Sequence, residues 1–287
     1  MGWKNLITLL LSFWITSCML VANNATTLSD SNTKRSGYDV KLFKGPAYHL
    51  AQAVLKEQPV RIHQILKSKP TLVNYQESHF GKTLLEFAAQ SNLSISVKAL
   101  LEAGANPNIA NNYNGYTPLM AAARHTSLTD SSTESIRLLL RYGANPNAVS
   151  RPVAPSQRPT TALILAASNK LEYVRILVNA GADIDITIGT SKDALERALA
   201  LNRIDVARYL IVEKHADVMK NYTVTLSGDT LKINDLLKRL TFHLESDNYK
   251  KKMEIVRYLE SLGIDYRNAK VPLHFYKIYS KDYLMKY

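Results

Sequence analysis

A single cysteine among 287 residues, Cys18, leaves no partner for an internal disulfide and no thiol set for a cysteine-rich zinc site. Acidic residues are also scarce: 24 stand against 36 basic ones, giving a net charge of +12 and a pI near 9.6. That balance points to an acidic partner, whether a protein face, an anionic lipid surface or nucleic acid. The seven histidines, His49, His63, His79, His125, His215, His243 and His274, form no H-x-x-x-H pair. Neither a G-x-S-x-G elbow nor a glycine-rich phosphate loop occurs. Enzymatic activity, a metal site and a bound cofactor are therefore not expected.

With 46% hydrophobic and 21% charged residues, the chain has a globular balance. A pattern recurs three times within it. Thr-x-Leu opens a short helix, alanines close it, a leucine-rich helix follows, and Gly-Ala-Asn/Asp-x-Asn/Asp ends the unit. The copies run from Thr83-Leu84-Leu85 to Gly104-Ala105-Asn106-Pro107-Asn108, from Thr117-Pro118-Leu119 to Gly143-Ala144-Asn145-Pro146-Asn147, and from Thr161-Ala162-Leu163 to Gly181-Ala182-Asp183-Ile184-Asp185. Threonine before a helix can satisfy an otherwise unpaired amide. Pro118 suits a first turn, where a missing N–H costs nothing. Ala88-Ala89, Ala121-Ala122-Ala123 and Ala166-Ala167 let neighbouring helices approach, and Gly104, Gly143 and Gly181 supply a left-handed helix stop. The unit resembles the ankyrin repeat, and with Asp193 standing for Thr in a further copy the anchors at 83, 117, 161 and 193 are spaced by 34, 44 and 32 residues, around a family period of about 33.

Weaker copies flank these three. Tyr48 to Ala53 with Ile62 to Leu66 reads as a degenerate first pair, Asp193-Ala194-Leu195 with Ile204 to Leu210 as a fifth, and Leu231 to Phe242 with Tyr249 to Leu262 as a sixth. The expected fold is an all-α ankyrin-repeat solenoid of about six repeats over 44–266, with atypical ends because terminal repeats face water. Two insertions break the period: Thr126 to Ser132 between the helices of the third unit, and Ser150 to Thr160 in the following finger loop.

The N-terminus carries a different signal. Lys4 precedes the apolar stretch Leu6 to Ile15, which has about the length of a secretory h-region and is short of the roughly 20 residues of a bilayer span. Directly after it, Ile15-Thr16-Ser17-Cys18 resembles the bacterial lipobox, with Ile where Leu is commoner. The resemblance implies removal of 1–17 and lipidation of Cys18; a later cut after Ala22 or Ala25, without lipid, is the alternative. Met19 in place of Asp favours the outer membrane under the retention rule for such lipoproteins, so a periplasmic, membrane-anchored location is expected. Residues 18–43 read as a tether, polar from Asn23 to Gly37.

An ankyrin-like array presents a concave face of finger tips and first helices. Transferred by register, that face comprises His79, Phe80, Lys82, Gln90, Tyr113, Asn114, Tyr116, Arg124, His125, Arg151, Arg158, Ser168, Asn169 and Lys192, with Tyr113, Tyr116, Arg124 and Arg158 as its anchors, since tyrosine and arginine dominate interface energetics. The tail 267–287 interleaves Phe275, Tyr276, Tyr279, Tyr283 and Tyr287 with lysines, a pattern that can pack over a last repeat or meet bases or a membrane. A lipobox joined to a short ankyrin array is similar to small bacterial lipoproteins that neutralise lipase effectors of type VI secretion. This resemblance implies a non-catalytic immunity protein, monomeric alone, that binds an acidic face of a secreted phospholipase and occludes it. A periplasmic scaffold for an endogenous envelope enzyme, an anionic-lipid binder and a secreted host-directed effector are the other readings. Export argues against nucleic acid.

Overall fold

The computed structural model describes residues 40–124, 133–151, 158–189, 192–220, 222, 230–267, 269, 271–280 and 283–284. Six helix pairs follow one another in that region: α1 Pro46–Leu55 with α2 Pro59–Ser68, α3 Leu84–Gln90 with α4 Ser94–Glu102, α5 Pro118–Ala123 with α6 Glu134–Arg141, α7 Ala162–Ala166 with α8 Leu171–Asn179, α9 Ala194–Ala200 with α10 Ile204–Arg208, and α11 Ile233–Lys238 with α12 Asp247–Ser261. First helices stack on first helices from α1 to α11, and second helices on second helices from α2 to α12. The described residues form no strand longer than an isolated bridge, one of which pairs Gln76 with Thr83. The architecture is an all-α ankyrin solenoid.

Local chemistry sets where each helix begins. The Oγ1 atoms of Thr83, Thr117 and Thr161 accept from the amides of Glu86, Met120 and Ile164 at 3.1, 3.4 and 3.3 Å, and Asp193 does the same for Glu196 at 2.8 Å. Such a cap contributes about 1 kcal/mol. Aspartate thus keeps the function of threonine in the fifth pair. The alanines at 88–89, 121–123 and 166–167 are buried where first helices cross, and Leu100, Leu139, Leu177 and Leu210 are fully buried under the second helices. Each such leucine contributes roughly 1.5–3 kcal/mol of hydrophobic stabilisation.

At the helix stops Gly104, Gly143 and Gly181 have φ between +85° and +89°. His215 takes the corresponding left-handed place with φ +56°, and its Nδ1 lies 2.8 Å from the Tyr258 hydroxyl. The Asn and Asp residues after these stops form an inter-repeat ladder. Asn74, Asn108, Asn147 and Asp185 each accept the amide of a residue in the next unit, namely Asn106, Asn145, Asp183 and Asp217, at 2.8 to 2.9 Å. Asn108 and Asn147 also donate to the carbonyls of Gly143 and Gly181. The ladder keeps register across the long third unit, so both insertions leave the stack intact. Residues 125–132, which hold the first insertion and His125, lie outside the described residues, as do 152–157 of the second.

The folded region begins earlier than the tether reading of 18–43 had it. Val40, Leu42 and Phe43 are buried, and the Phe43 ring meets Phe87 edge-on at 6.0 Å. These apolar residues belong to the first repeat. At the other end the tail lies back on the segment joining α11 to α12. Phe275 is buried, the Tyr279 hydroxyl donates to Thr241 Oγ1 at 3.0 Å, and the Tyr283 hydroxyl donates to the Phe242 carbonyl at 2.7 Å. Residues 1–39, with Cys18 and the lipobox, are outside the described residues.

Candidate protein-binding face

Each finger is held by one buried polar residue at its base. In the first, the Glu77 amide donates to the Lys82 carbonyl at 3.0 Å, while the Glu77 carboxylate accepts from the amides of His79, Phe80 and Lys82 at 2.7, 2.8 and 3.0 Å. In the second, the Asn111 amide donates to the Tyr116 carbonyl at 3.0 Å and Asn111 Oδ1 accepts from Tyr113 and Asn114, each at 3.0 Å. The neck of the third finger is closed by the Ser150 amide on the Thr160 carbonyl and by the Thr160 amide on Ser150 Oγ, both at 2.9 Å. Three different side chains solve one problem, the unpaired amides of a tight loop.

The fingers also press on one another. The Asn112 amide donates to the Phe80 carbonyl at 2.9 Å. Gly81, at φ +68°, sits where a Cβ would fall 2.5 Å from the Asn112 side chain, and Gly115, at φ +69°, where it would fall 2.3 Å from the Arg151 backbone nitrogen. The result is a rack of adjoining tips.

On that rack the aromatic residues meet. His79 packs edge-on against Phe80 at 4.3 Å between centroids, and Phe80 against Tyr113 at 5.5 Å. Tyr113 remains 51% exposed. Behind it the Arg124 guanidinium lies 5.9 Å from the centre of the half-buried Tyr116 ring. Arg124, Arg151 and Arg158 are exposed, and Lys192 is half-exposed beside Glu196 at 3.5 Å. Asn114 is half-buried, its Oδ1 accepting from the Tyr116 amide at 3.1 Å. Structure therefore brings Phe80, Tyr113, Asn114, Tyr116 and Arg124 together, with Arg151 against the second finger.

Two residues assigned to this face lie inside. Lys82 is only 7% exposed, with Nζ donating to Gln90 Oε1 at 2.6 Å. Its backbone closes the first finger, which turns the side chain under the tips rather than toward a partner. Asn169 is buried too, and its Nδ2 donates to the Ala123 carbonyl at 2.9 Å, joining α5 to the next unit. Ser168 is half-buried and accepts from Arg197 Nε at 2.8 Å.

Beneath the tips lies a group that the repeat register does not assign. Glu86, 2% exposed on α3, accepts from Asn111 Nδ2 at 2.6 Å through Oε1, while its Oε2 has no hydrogen-bond partner among the described residues. Burial pushes its carboxyl up to about 7, against the opposing pull of Lys82 and Asn111, and burial likewise lowers the Lys82 ammonium. A signal existed in the sequence: Glu77 and Asn111 both stand six residues before a Thr-x-Leu anchor. Elsewhere, no group of three or more His, Cys, Asp or Glu side chains among the described residues is placed to hold a metal, and none of their helices is long and apolar enough to cross a membrane.

The repeated helix pairs have counterparts among known proteins. The family described as ankyrin repeats matches residues 50–150 and 130–222. Among curated proteins, human neurogenic locus notch homolog protein 1 is 32% identical over 157 residues, covering 54% of this chain but 6% of its own length. The putative ankyrin repeat protein FPV031 of fowlpox virus is 28% identical over 220 residues, covering 70% of this chain and 61% of that protein. A mimivirus counterpart, the putative ankyrin repeat protein L92, is 40% identical over 80 residues, or 28% of this chain and 18% of its own. The chain thus spans a small fraction of the Notch proteins and somewhat over half of the fowlpox protein. It belongs to the ankyrin-repeat family, whose repeats form protein-interaction modules.

Proposed function

We propose that this ankyrin-repeat chain is a membrane-tethered, non-catalytic binding module whose finger edge captures an acidic protein surface. The observation that carries the reading is the Phe80–Tyr113 pair, half-exposed on a rack of locked fingers, with Arg124 over the Tyr116 ring and the Arg151 backbone against Gly115. Aromatic rings on pre-ordered backbone bind at low entropic cost, and arginine adds directional hydrogen bonds to carboxylates. The tether would be the lipid on Cys18, placing the module in the periplasm, with the outer membrane favoured by Met19.

Within that class we favour an immunity role, neutralising a secreted phospholipase effector of a type VI system. Its support is the joint presence of the Ile15-Thr16-Ser17-Cys18 box and a short ankyrin array. Occlusion would be the mechanism, with the finger edge covering the lipase before it reaches phospholipid. Two measurements test this. Metabolic labelling with a palmitate analogue should mark the parent and not Cys18→Ser. Expression of the parent, and not of Tyr113→Ala/Arg124→Glu, should protect a sensitive cell against periplasmic delivery of a type VI phospholipase effector from the same genome. Absence of protection by a well-folded parent would remove the immunity reading, and recovery of a housekeeping envelope enzyme would replace it with a scaffold.

A further inference from the structure

The buried cluster under the first two fingers has more connections than a packing residue requires. Glu86 is joined to the base of the second finger: its Oε1 holds Asn111, and Asn111 in turn holds the Tyr113 and Asn114 amides. From the first finger it is faced by Lys82 and Glu77, and Arg124 at the end of α5 acts on Lys82. The buried residues of α1, α4 and α5, the helices packed against α3, carry no ionisable group. One proton at Glu86 therefore has few other charges to dilute it.

We infer that Glu86 is a proton-operated keystone of the finger edge, whose ionisation sets both the charge beneath the tips and the grip on the Tyr113 finger. This rests on the reading of that edge as the recognition surface. Ionised, Glu86 balances Lys82 and offers Asn111 a charged acceptor, which makes the shorter and stronger kind of hydrogen bond. Protonated, it offers a neutral acceptor and leaves the face one unit more positive. With the carboxyl raised to about 7, the change falls between mildly acidic and mildly alkaline conditions. Acid then loosens the second finger while raising its attraction for an acidic surface.

The test is a titration of the full chain from pH 5.5 to 8.5, followed by nitrogen-15 nuclear magnetic resonance. The Asn111 side-chain amide and the Tyr113 and Asn114 backbone amides should titrate together with a midpoint near 7. After correction for intrinsic pH dependence, those two backbone amides should exchange about fivefold faster on the acid side, the step between a charged and a neutral acceptor. Glu86→Gln should flatten the titration, while His79→Gln, which removes the neighbouring imidazole, should leave it in place. Flat signals in the parent, a titration that persists in Glu86→Gln, or one lost in His79→Gln would overturn the inference. Should Glu86→Gln fail to fold, carbon-13 labelling of the parent's glutamate carboxyls decides, and a Glu86 midpoint below pH 5.5 overturns it. A chain that titrates as stated but captures no protein loses the functional reading and keeps this one, and the converse result does the reverse.

Discussion

Gly115 and Gly104 offer a matched pair of perturbations, because both are left-handed and only one is crowded. At Gly104, φ is +89° and an added Cβ would meet nothing within 4 Å. Gly104→Ala therefore costs the conformational penalty alone, about 1–2 kcal/mol for a residue with a side chain. At Gly115, φ is +69° and the Cβ would stand 2.3 Å from the Arg151 nitrogen and 3.0 Å from its carbonyl carbon and oxygen. The obstruction is backbone, so it cannot rotate aside. Forcing it away adds an overpacking cost of about 1–3 kcal/mol, for a total of about 2–5 kcal/mol. Repeat arrays unfold in segments, so a single global midpoint is the wrong measure. Hydrogen exchange mapped onto the fingers is the suitable assay, with circular dichroism in urea alongside it. Gly115→Ala should expose the amides of Asn111 to Tyr116 and of Ser150 and Thr160, while Gly104→Ala should affect the end of α4 only. Equal losses at the two sites, or undisturbed third-finger amides in Gly115→Ala, would show that the fingers do not bear on one another.

Tyr113→Ala should weaken partner capture by about 2 kcal/mol or more, roughly 30-fold by isothermal titration calorimetry, with little loss of stability because the ring is 51% exposed. Lys82→Ala should act the other way round, lowering stability first, since it strips a buried cation from beside Glu86. Asn147→Ala removes the bonds to the Asp183 amide and the Gly181 carbonyl; a cost of about 1–2 kcal/mol is expected in urea, with faster exchange between the third and fourth pairs. Lys252 is fully buried on α12, with its Nζ donating to the Leu240 carbonyl at 3.0 Å, and burial pushes its ammonium down to about 6, Lys238 adding to the effect. An unfolded lysine holds its proton up to about pH 10.4, so between roughly 6 and 10 the unfolded chain binds more protons than the folded one. Stability should then rise with pH across that window. Lys252→Met should raise the melting temperature at pH 7, by an advantage that shrinks toward pH 10; a constant difference would refute the assignment.

Much of this fold could be read directly because its grammar is local. Thr83, Thr117, Thr161 and Asp193 announce helix starts by a chemistry that needs no tertiary partner. Gly104, Gly143 and Gly181 announce stops in the same way. His215 shows the limit of such reading: a left-handed stop without glycine is recognisable only from the neighbouring register. What escaped depended on depth. Lys82 has the sequence address of a finger-tip residue, yet its carbonyl closes the hairpin and its ammonium is carried under the tips to Gln90. Val40, Leu42 and Phe43 follow a polar stretch and read as its continuation, although Phe87 waits for Phe43 across the first repeat. The partnership of Glu86 with Asn111 spans 25 residues. No local periodicity encodes it.

The division of labour between helix stops and finger tips explains why the third finger tolerates its insertion. The Asn and Asp ladder from Asn74 to Asp217 runs along the second-helix stops, and every rung reaches into the next unit. An added segment at those stops would break a rung and lose the register of every helix beyond it. At the finger tips an added segment needs only its neck closed, which Ser150 and Thr160 do with two hydrogen bonds. Loop closure grows only slowly in cost with length, so the third finger can lengthen without a large penalty. The second insertion thereby falls on the surface that would meet a partner, while the first lengthens the turn between the two helices of the third pair. The same arrangement makes the Tyr113 test informative: a tip residue that shapes recognition can be removed while the ladder, none of whose rungs it makes, keeps the stack folded.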